Sequence, residues 1–555
     1  MIRPTVNPQH TLTSVVDFLL THDALAALIV GNRSCDLRKW RDEHDDLAAQ
    51  FERIGVTGAA IGSREIEAGD IFIAVPGERV HGAKFASAAQ SAGAVAILTD
   101  RAGYEIISSD QPLEVPVLIA NDIAGCQGAV ATFVYNTPCD GVSSFGITGT
   151  NGKTTTSYIL DFLLSALGRT VGLVGTVVVR VGNEEIPAMM TTPQAVELQA
   201  MLANMREHGM DTLVMEVSSH ALAQKRTKPI CFDVAGFTNL TQDHLDFHKT
   251  FDEYYAAKKE LFSPDNSRFC VISVDDDFGR RLYEETVQAR PDSCLALAVK
   301  SELGSATGWQ VRNIATNLAG STFDLHSPAG ERISVNLGLP GEFNVQNAAL
   351  AIAMLVQAGV GIQEISQVLA MHGGLFPEVP GRMELIADEP RVIVDFAHNP
   401  DALAKAIEAL RPTTAGKLVV LTGSAGDRDR AKRPLMGEIV SSLADFTIIT
   451  DDDPHSEDPA QIRQEIIAGI GTGADFVEIA DRAEAISTAI AQAALQDTIF
   501  IAGRGHELWQ DCDGVLVELD DRAIARTALA KRNVVVTDNS SETEASSEKD
   551  WAKEN

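Results

Sequence analysis

Gly146-Ile-Thr-Gly-Thr-Asn-Gly-Lys-Thr-Thr-Thr156 follows a β-type run, Val142 to Ile147, and opens a helix-type run. In that second run Ile159, Leu160, Leu163, Leu164 and Leu167 share one face. Strand, glycine-rich turn, Lys-Thr and helix make a phosphate-binding loop. Glycine lets backbone N–H groups approach phosphate oxygens, and the helix N-terminus adds its positive dipole end. Lys153 can neutralise the outer phosphates, and Thr154 can offer a hydroxyl to Mg²⁺. The spacing departs from G-x-x-x-x-G-K-[ST]: Ile147 stands where the first glycine would be, and glycines fall at 146, 149 and 152. The loop predicts an α/β fold that uses a nucleoside triphosphate.

Outward from the loop, the 555 residues are too many for one ordinary core. Composition, 45% hydrophobic and 22% charged, is that of a globular enzyme. The formal net charge is −32, and the Ser/Glu-rich end from Thr537 holds six acids and two lysines, so the acidity belongs to the body. Such a charge argues against nucleic-acid and membrane-surface binding, which need basic surface. The longest apolar stretch, Thr11 to Gly31, is interrupted by Asp17, His22 and Asp23 and reads as a buried helix, not a membrane span. No export signal is evident, and seven scattered cysteines without C-x-x-C fit reduced thiols, so a cytoplasmic protein is expected.

Three regions follow from the pattern. Residues 1–140 alternate strand-like runs (Ile71 to Val75, Ala94 to Thr99, Val115 to Ala120) with Ala-rich helices. Residues 141–378 form the loop-bearing unit. Strand–helix alternation restarts over 379–535 with Val392 to Asp395, Asp401 to Leu410, Leu418 to Leu421 and Phe446 to Thr450. Repeated βα units predict parallel sheets flanked by helices. An acidic tail, 536–555, is expected to be disordered.

Several residues could carry chemistry. The apolar run Thr212 to Val217 contains one carboxylate, Glu216, where a strand end beside a phosphate loop places an Mg²⁺-binding acid; a solvated strand-end Glu is the alternative. Asp243, His244, Asp246 and His248 are dense enough for metal or phosphate work, although a capped helix start explains them as well. Lys258 lies in what periodicity alone reads as an ordinary surface helix. Asp395 to Asp401 closes a strand with polar groups at its C-terminal end, where ligands of α/β folds bind. The stretch Gly423 to Arg433 collects Arg428, Arg430, Lys432 and Arg433, and suggests anion handling.

Taken together these segments resemble the Mur ligases, the ATP-dependent amide-forming enzymes of peptidoglycan precursor synthesis. The carrying motifs are Thr148-Gly-Thr-Asn-Gly-Lys-Thr-Thr155, Glu216-Val-Ser-Ser-His220, Asp243-His-Leu-Asp246 and Leu339-Pro-Gly-Glu-Phe-Asn344. They continue, in order, with Pro380-Gly-Arg-Met-Glu384, Asp395-Phe-Ala-His398, Gly426-Asp-Arg-Asp429 and Gly503-Arg-Gly-His-Glu507. Ser63-Arg64, Gly69 to Phe72 and Val75-Pro-Gly77 match the family's first domain, with Gly62 where an Asp is usual. The likeness is strongest to members that add the third residue of the peptide.

The resemblance implies three α/β domains: a UDP-binding N-terminal domain, a central P-loop ATPase and a C-terminal Rossmann-like domain. It implies ATP and Mg²⁺ as cofactors, a UDP-muramoyl-dipeptide and an L-amino acid as small-molecule substrates, and an acyl-phosphate intermediate. It assigns Gly149, Thr150, Asn151, Gly152, Lys153, Thr154, Thr155, Asn344, Arg382, Asp395 and His398 to ATP, and Ser63, Thr191, Thr192, Ser218, Gln224 and Arg226 to the UDP substrate. Thr154, Glu216, His244 and a carbamylated Lys258 fall to the metal, with Lys153, Lys258 and His244 as the catalytic set. Arg428, Asp452, Asp453, His455, Gly503 and Glu507 fall to the incoming amino acid. Members that use meso-diaminopimelate carry Asp-Asn-Pro-Arg, whose Arg binds the distal carboxylate; this chain has Asp452-Asp453-Pro454-His455. His cannot supply the bidentate, always-charged contact of Arg. L-Lysine is therefore expected, with L-ornithine, meso-diaminopimelate or a folylpolyglutamate-synthase-like activity as alternatives. A monomer is expected, and a binding protein on a retired ligase fold would show ATP binding without turnover.

Overall fold

A computed structural model describes residues 1–6, 9–31, 33–37, 40, 45–77, 80–110, 113–137, 141–181, 184–317 and 319–532. The expected acidic tail and Cys139 lie outside the described residues. The other six cysteines are unbridged. Among the described residues no helix is long and apolar enough to cross a membrane. The fold is mixed α/β, built on two six-stranded sheets and one of eleven strands.

Contacts gather the chain into two compact units. The first comprises Met1–Thr148, Leu164–Gly236 and Ala257–Cys270. It holds a six-stranded sheet in the order Arg33–Cys35, Leu25–Val30, Val117–Ala120, Ala96–Thr99, Asp70–Ala74, Gly58–Ala60. The last four run parallel, and Leu25–Val30 joins antiparallel. Here Thr11 to Gly31 departs from the single buried helix expected. A helix over Leu12–Thr21 ends, Asp23 turns the chain with φ +50°, and Leu25–Val30 becomes a strand. Asp is among the few residues that adopt this left-handed geometry readily, and an apolar run pairing with Val117–Ala120 buries more as a strand than as further helix turns. The same unit also holds Ser143–Thr148, which runs parallel to Thr212–Glu216 with Glu216 opposite Ile147. That register sets Glu216 level with the strand end from which the phosphate loop departs.

The second unit comprises Gly149–Leu163, Phe237–Ala256 and the described residues from Val271 on. The loop from Gly149 and most of its helix, Lys153–Ala166, thus fall in it. Its six-stranded sheet runs Glu384–Asp388, Arg391–Asp395, Thr498–Ala502, Leu418–Thr422, Phe446–Ile449, Phe476–Glu478, all parallel after an antiparallel edge. Both faces are buried. Val392, Val394, Ile499 and Ile501 pack against Ile486 and Ile490, while Ile393 and Phe500 pack the opposite way against Leu403, Ile407 and Met436. This period-two division between two apolar layers is why the strands read as unbroken hydrophobic runs. A hairpin of Trp509–Cys512 and Val515–Glu518 follows the last parallel strand.

Arg482 and Asp521 form a fully buried ion pair, with two guanidinium nitrogens each 2.8 Å from a carboxylate oxygen. Arg482 also donates to the carbonyls of Ala502 (2.9 Å) and Asp451 (3.2 Å). It therefore satisfies backbone groups where two strands end beside the Asp452–His455 loop. Removing one partner leaves a buried charge uncompensated, and Arg482→Met should lower the unfolding free energy by about 3–5 kcal/mol, measured by urea denaturation.

Candidate active site

In the first unit the site is organised around Glu216. Its buried carboxylate accepts hydrogen bonds from the Thr176 amide and hydroxyl, each at 2.9 Å. A Cβ at Gly175 would overlap the Glu216 carboxylate, so any side chain there would displace it. Thr176 also meets Thr191, hydroxyl to hydroxyl, at 3.1 Å. Thr192 donates to the Glu216 carbonyl (2.8 Å) and accepts from the Ser218 amide (3.0 Å). The Ser218 hydroxyl caps the short helix Ser219–Ala223. Arg226 donates to the Thr192 carbonyl at 3.0 Å and, through two nitrogens, to the Gln224 side-chain oxygen. Thr191, Thr192, Ser218, Gln224 and Arg226 are thus brought together by one hydrogen-bond network with Glu216. Lys258 is buried near the end of the helix Phe251–Lys259, which overturns the reading of an ordinary surface lysine. Ser63 is half-buried, and the Glu65 side chain lies over Gly62, bringing a carboxylate to the position that lacks the family's Asp.

In the second unit the phosphate loop is held before any ligand arrives. Gly149 and Gly152 have φ of +153° and +90°. A Cβ at Gly149 would overlap the Thr238 hydroxyl, and one at Gly152 would overlap Asn347. The Thr150 amide donates to the Asn239 carbonyl (2.9 Å), and the Asn151 amide donates to the Asn239 side chain (3.0 Å). Lys153 folds back so that its ammonium donates to the carbonyls of Gly149 and Thr150, both at 2.9 Å. Thr154 and Thr155 are buried, and Arg382 donates to the Thr154 hydroxyl at 3.3 Å. Asn344, buried at the start of the helix Glu342–Gln357, accepts from Asn347 (3.2 Å), the residue beneath Gly152.

The motif from Asp395 to Asp401 meets the loop directly. Asn399 caps the helix Pro400–Leu410 through its side-chain oxygen, while its amide donates to Asn151 (3.0 Å) and reaches Asp243 (3.5 Å). Asp401 accepts from Asn151 at 3.1 Å and from Lys405 at 2.8 Å. Asp243 is buried, with the His398 ring nitrogen 3.4 Å away and that of His244 at 3.9 Å. Burial pushes this carboxyl up, but the charge of His244, the His398 hydrogen bond and Lys432 outweigh it and hold it well below the usual carboxylate range. Asp395 accepts from the Met383 amide at 2.6 Å and is itself pushed up, chiefly by burial. Arg382 lies over the Phe396 ring, 4.2 Å from its centre.

His244 does not begin a capped helix. It adopts φ +54° and makes no capping hydrogen bond to Leu245–His248, so the capping explanation of this cluster fails. The expected basic loop is also corrected in part. Arg430 and Arg433 are spent on Glu457 and Glu465, and Lys432 is buried and acts on Asp243; Arg428 remains exposed. Sequence reasoning singled out Asp243 only as one of a dense cluster and did not single out Asn399 or Thr176. An available signal for Asn399 was Asn before Pro-Asp, the composition of a helix start.

At the C-terminal ends of strands in the same sheet, Asp452, Asp453 and Glu507 bring carboxylate oxygens within 4.8 Å of one another. Arg504, buried, pairs with Asp453 and lies 3.7 Å from both Asp452 and Glu507. Gly503, at φ +121°, leaves room for Asp452, whose carboxylate would lie 2.6 Å from a Cβ there. Burial first, and then the charge of Asp452, pushes the Glu507 carboxyl up to about 8. His455 sits at φ +47° with its imidazole 3.1 Å from Asp511. A carboxylate such as that of Glu216 is among the hard oxygen ligands that Mg²⁺ takes.

The sequence matches the Mur ligase middle domain over residues 147–355, the Mur ligase glutamate ligase domain over 381–505 and the Mur ligase family catalytic domain over 55–127. A UDP-N-acetylmuramyl-tripeptide synthetase of Leifsonia xyli subsp. xyli is 40% identical over 489 residues, 87% of this chain and 93% of the relative. The chain belongs to the Mur ligase family. It is accordingly an ATP-dependent, ADP-forming ligase that uses Mg²⁺. A UDP-N-acetylmuramoyl-L-alanyl-D-glutamate–2,6-diaminopimelate ligase of Corynebacterium glutamicum is 41% identical over 476 residues, 83% of this chain and 89% of that one. A solved structure of a ligase of that description is 32% identical with a TM-score of 0.59, covering 87% of this chain and 96% of the other.

The double role of Asn399 gives this Mur ligase a direct test. Asn399→Ala should lower stability by about 1 kcal/mol through the lost cap alone. It should also raise the KM for ATP, because Asn151 loses a partner; thermal melts and ADP-release kinetics check the two effects separately.

Proposed function

We propose that this ligase adds L-lysine to UDP-N-acetylmuramoyl-L-alanyl-D-glutamate as the third residue of the peptide, in the cytoplasm and as a monomer. Residues 1–140 would take the UDP end with Ser63, 141–378 the ATP, and 379–535 the amino acid. Support for the amino acid comes from one observation: the cations near the Asp452–Glu507 cluster are already paired. Arg504 is held by Asp453 and His455 by Asp511, which leaves an excess of carboxylates facing the incoming side chain. A terminal ammonium suits that environment and a distal carboxylate does not. The competing reading, meso-diaminopimelate, has the description of the Corynebacterium relative in its favour.

The chemistry assigned is phosphoryl transfer followed by acyl transfer. Loop amides and Lys153 orient and neutralise the γ-phosphoryl group while the D-glutamate carboxylate attacks it. Mg²⁺, when bound, would stabilise charge on the transferring phosphoryl oxygens, with Thr154, Glu216, His244 and carbamylated Lys258 as its assigned ligands. Thr191, Thr192, Ser218, Gln224 and Arg226 hold the dipeptide arm. The amine, held with Asp452, Asp453, Gly503 and Glu507 and with Arg428 on its carboxylate, then attacks the acyl phosphate and phosphate leaves. Asn344, Arg382, Asp395 and His398 keep the nucleotide in place, and exclusion of water protects the activated carboxyl.

Two measurements test this reading. ADP release with the UDP-dipeptide should be fastest with L-lysine, slower with L-ornithine and slowest with meso-diaminopimelate; the reverse order refutes it. Lys258→Ala should abolish turnover, and bicarbonate should not restore it.

The position of Glu507 also fixes a pH dependence. Its carboxyl, pushed up to about 8, keeps its proton at neutral pH while the pocket is empty. An ammonium beside it favours the ionised form, so lysine binding releases that proton. The apparent KM for lysine should therefore fall as pH rises from neutrality and level off above about 8. Glu507→Gln should flatten the profile.

A further inference from the structure

The hairpin Trp509–Cys512/Val515–Glu518 is bound to the Asp452–His455 loop from Gln510 to Asp513. The Gln510 side chain donates to the Asp452 carbonyl at 2.5 Å, and the Asp511 amide donates to the Asp453 carboxylate at 3.2 Å. The His455 amide donates to the Asp511 carbonyl (3.0 Å), and the Asp513 amide donates to the His455 carbonyl (2.7 Å). With its backbone pinned on both sides at φ +47°, His455 has little freedom of direction. Its imidazole nitrogen then meets one Asp511 oxygen at 3.1 Å, while the other Asp511 oxygen accepts from the Gly514 amide at 2.7 Å. The Asp511 carboxylate is thus oriented by its own turn and aimed at His455.

We propose that Asp511 is the specificity-determining partner of His455: it fixes the imidazole against the hairpin and adds a negative charge to the wall that the third residue's side chain meets. The assignment rests on the reading of Asp452–His455 as the pocket for that residue. Asp453 connects the two parts, because its one oxygen accepts from both Arg504 and the Asp511 amide. The Asp511 backbone thus holds the Arg504-paired oxygen of Asp453, and the charge at 511 reaches the pocket through His455. A distal carboxylate would face Asp511 with no free cation supplied by His455, whereas a terminal ammonium would find a favourable field.

The test compares wild type, Asp511→Asn, Asp511→Glu and the double variant Asp511→Asn/His455→Arg by ADP release. kcat and KM are resolved separately for L-lysine and meso-diaminopimelate, with KM for ATP and for the UDP-dipeptide as references. Asp511→Asn should raise the KM for lysine roughly two- to fivefold, the scale of a part-exposed charge contact, with a smaller change in kcat. The use of diaminopimelate relative to lysine should rise, further in the double variant, and Asp511→Glu should retain the wild-type ratio. An unmoved ratio in Asp511→Asn overturns the proposal. So does a loss shared equally by Asp511→Glu or extending to the KM for ATP, since either marks a merely structural role. Wild-type preference for diaminopimelate would refute the lysine reading alone, provided Asp511→Asn still shifts the ratio. Lysine preference with an unmoved ratio would refute the role of Asp511 alone.

Discussion

An ionised carboxylate taken out of water costs several kcal/mol unless charges and donors are brought to it. Asp243 is such a group, and much of the nucleotide end of the second unit is arranged to satisfy it. His398 and Asn399 come from the segment after the strand Arg391–Asp395, Lys432 from the start of the helix Lys432–Leu443, and His244 from the adjoining position. Asn399 is shared among three tasks: it caps a helix, holds Asn151 of the phosphate loop and reaches Asp243. Loop geometry is therefore tied to the protonation of one buried acid. Because the Asp243 carboxyl is depressed, its stabilising contribution is present above the usual carboxylate range and is lost only as pH falls through its lowered value. At neutral pH the junction between loop and C-terminal segment is held by a full charge.

The Asp452–Glu507 cluster poses the opposite problem. Asp452, Asp453 and Glu507 cluster around a single buried guanidinium, Arg504, with Arg482 next to them already committed to Asp521. One cation does not balance three carboxylates, and burial first, then the charge of Asp452, pushes the Glu507 carboxyl up to about 8. An arriving cation can complete this arrangement and displace that carboxyl's proton. A site whose charges are already paired and a site that holds an excess of carboxylates are suited to different tasks; on the function proposed above, the first orients a phosphoryl group and the second selects an amine.

Local backbone chemistry was legible in the chain, and remote pairing was not. Gly149 and Gly152 announce a loop because no other residue tolerates their torsions and neighbours. The C-terminal strands read correctly because burial on both faces leaves unbroken apolar runs. Thr11 to Gly31 misled because composition alone does not separate a buried helix from a helix followed by a strand; the turn at Asp23 decides it. Gly423 to Arg433 looked like an anion site because Glu457 and Glu465, which neutralise Arg433, lie 24 and 32 residues further on. Likewise nothing near His455 in sequence names Asp511, 56 residues away. Motif resemblance supplied the candidate site as a set of positions, but the groups that hold those positions, Thr176, Asn399 and Asp511, appear only once strands and hairpins are assembled.

This division has a consequence for how such a ligase changes its substrate. The phosphate loop depends on two glycine torsions and on tightly fitted neighbours at Thr238, Asn239 and Asn347, so most substitutions there would strain the backbone. The acceptor pocket proposed above depends on side chains paired across a surface hairpin, where His455 and Asp511 are each only part-buried. Exchanging such a pair alters charge without moving a strand, and surface charges of this kind contribute little to stability. Selectivity for the joined amino acid can therefore shift while the ATP chemistry stays fixed. The part of the chain hardest to read from sequence is the part with the fewest physical constraints on its identity.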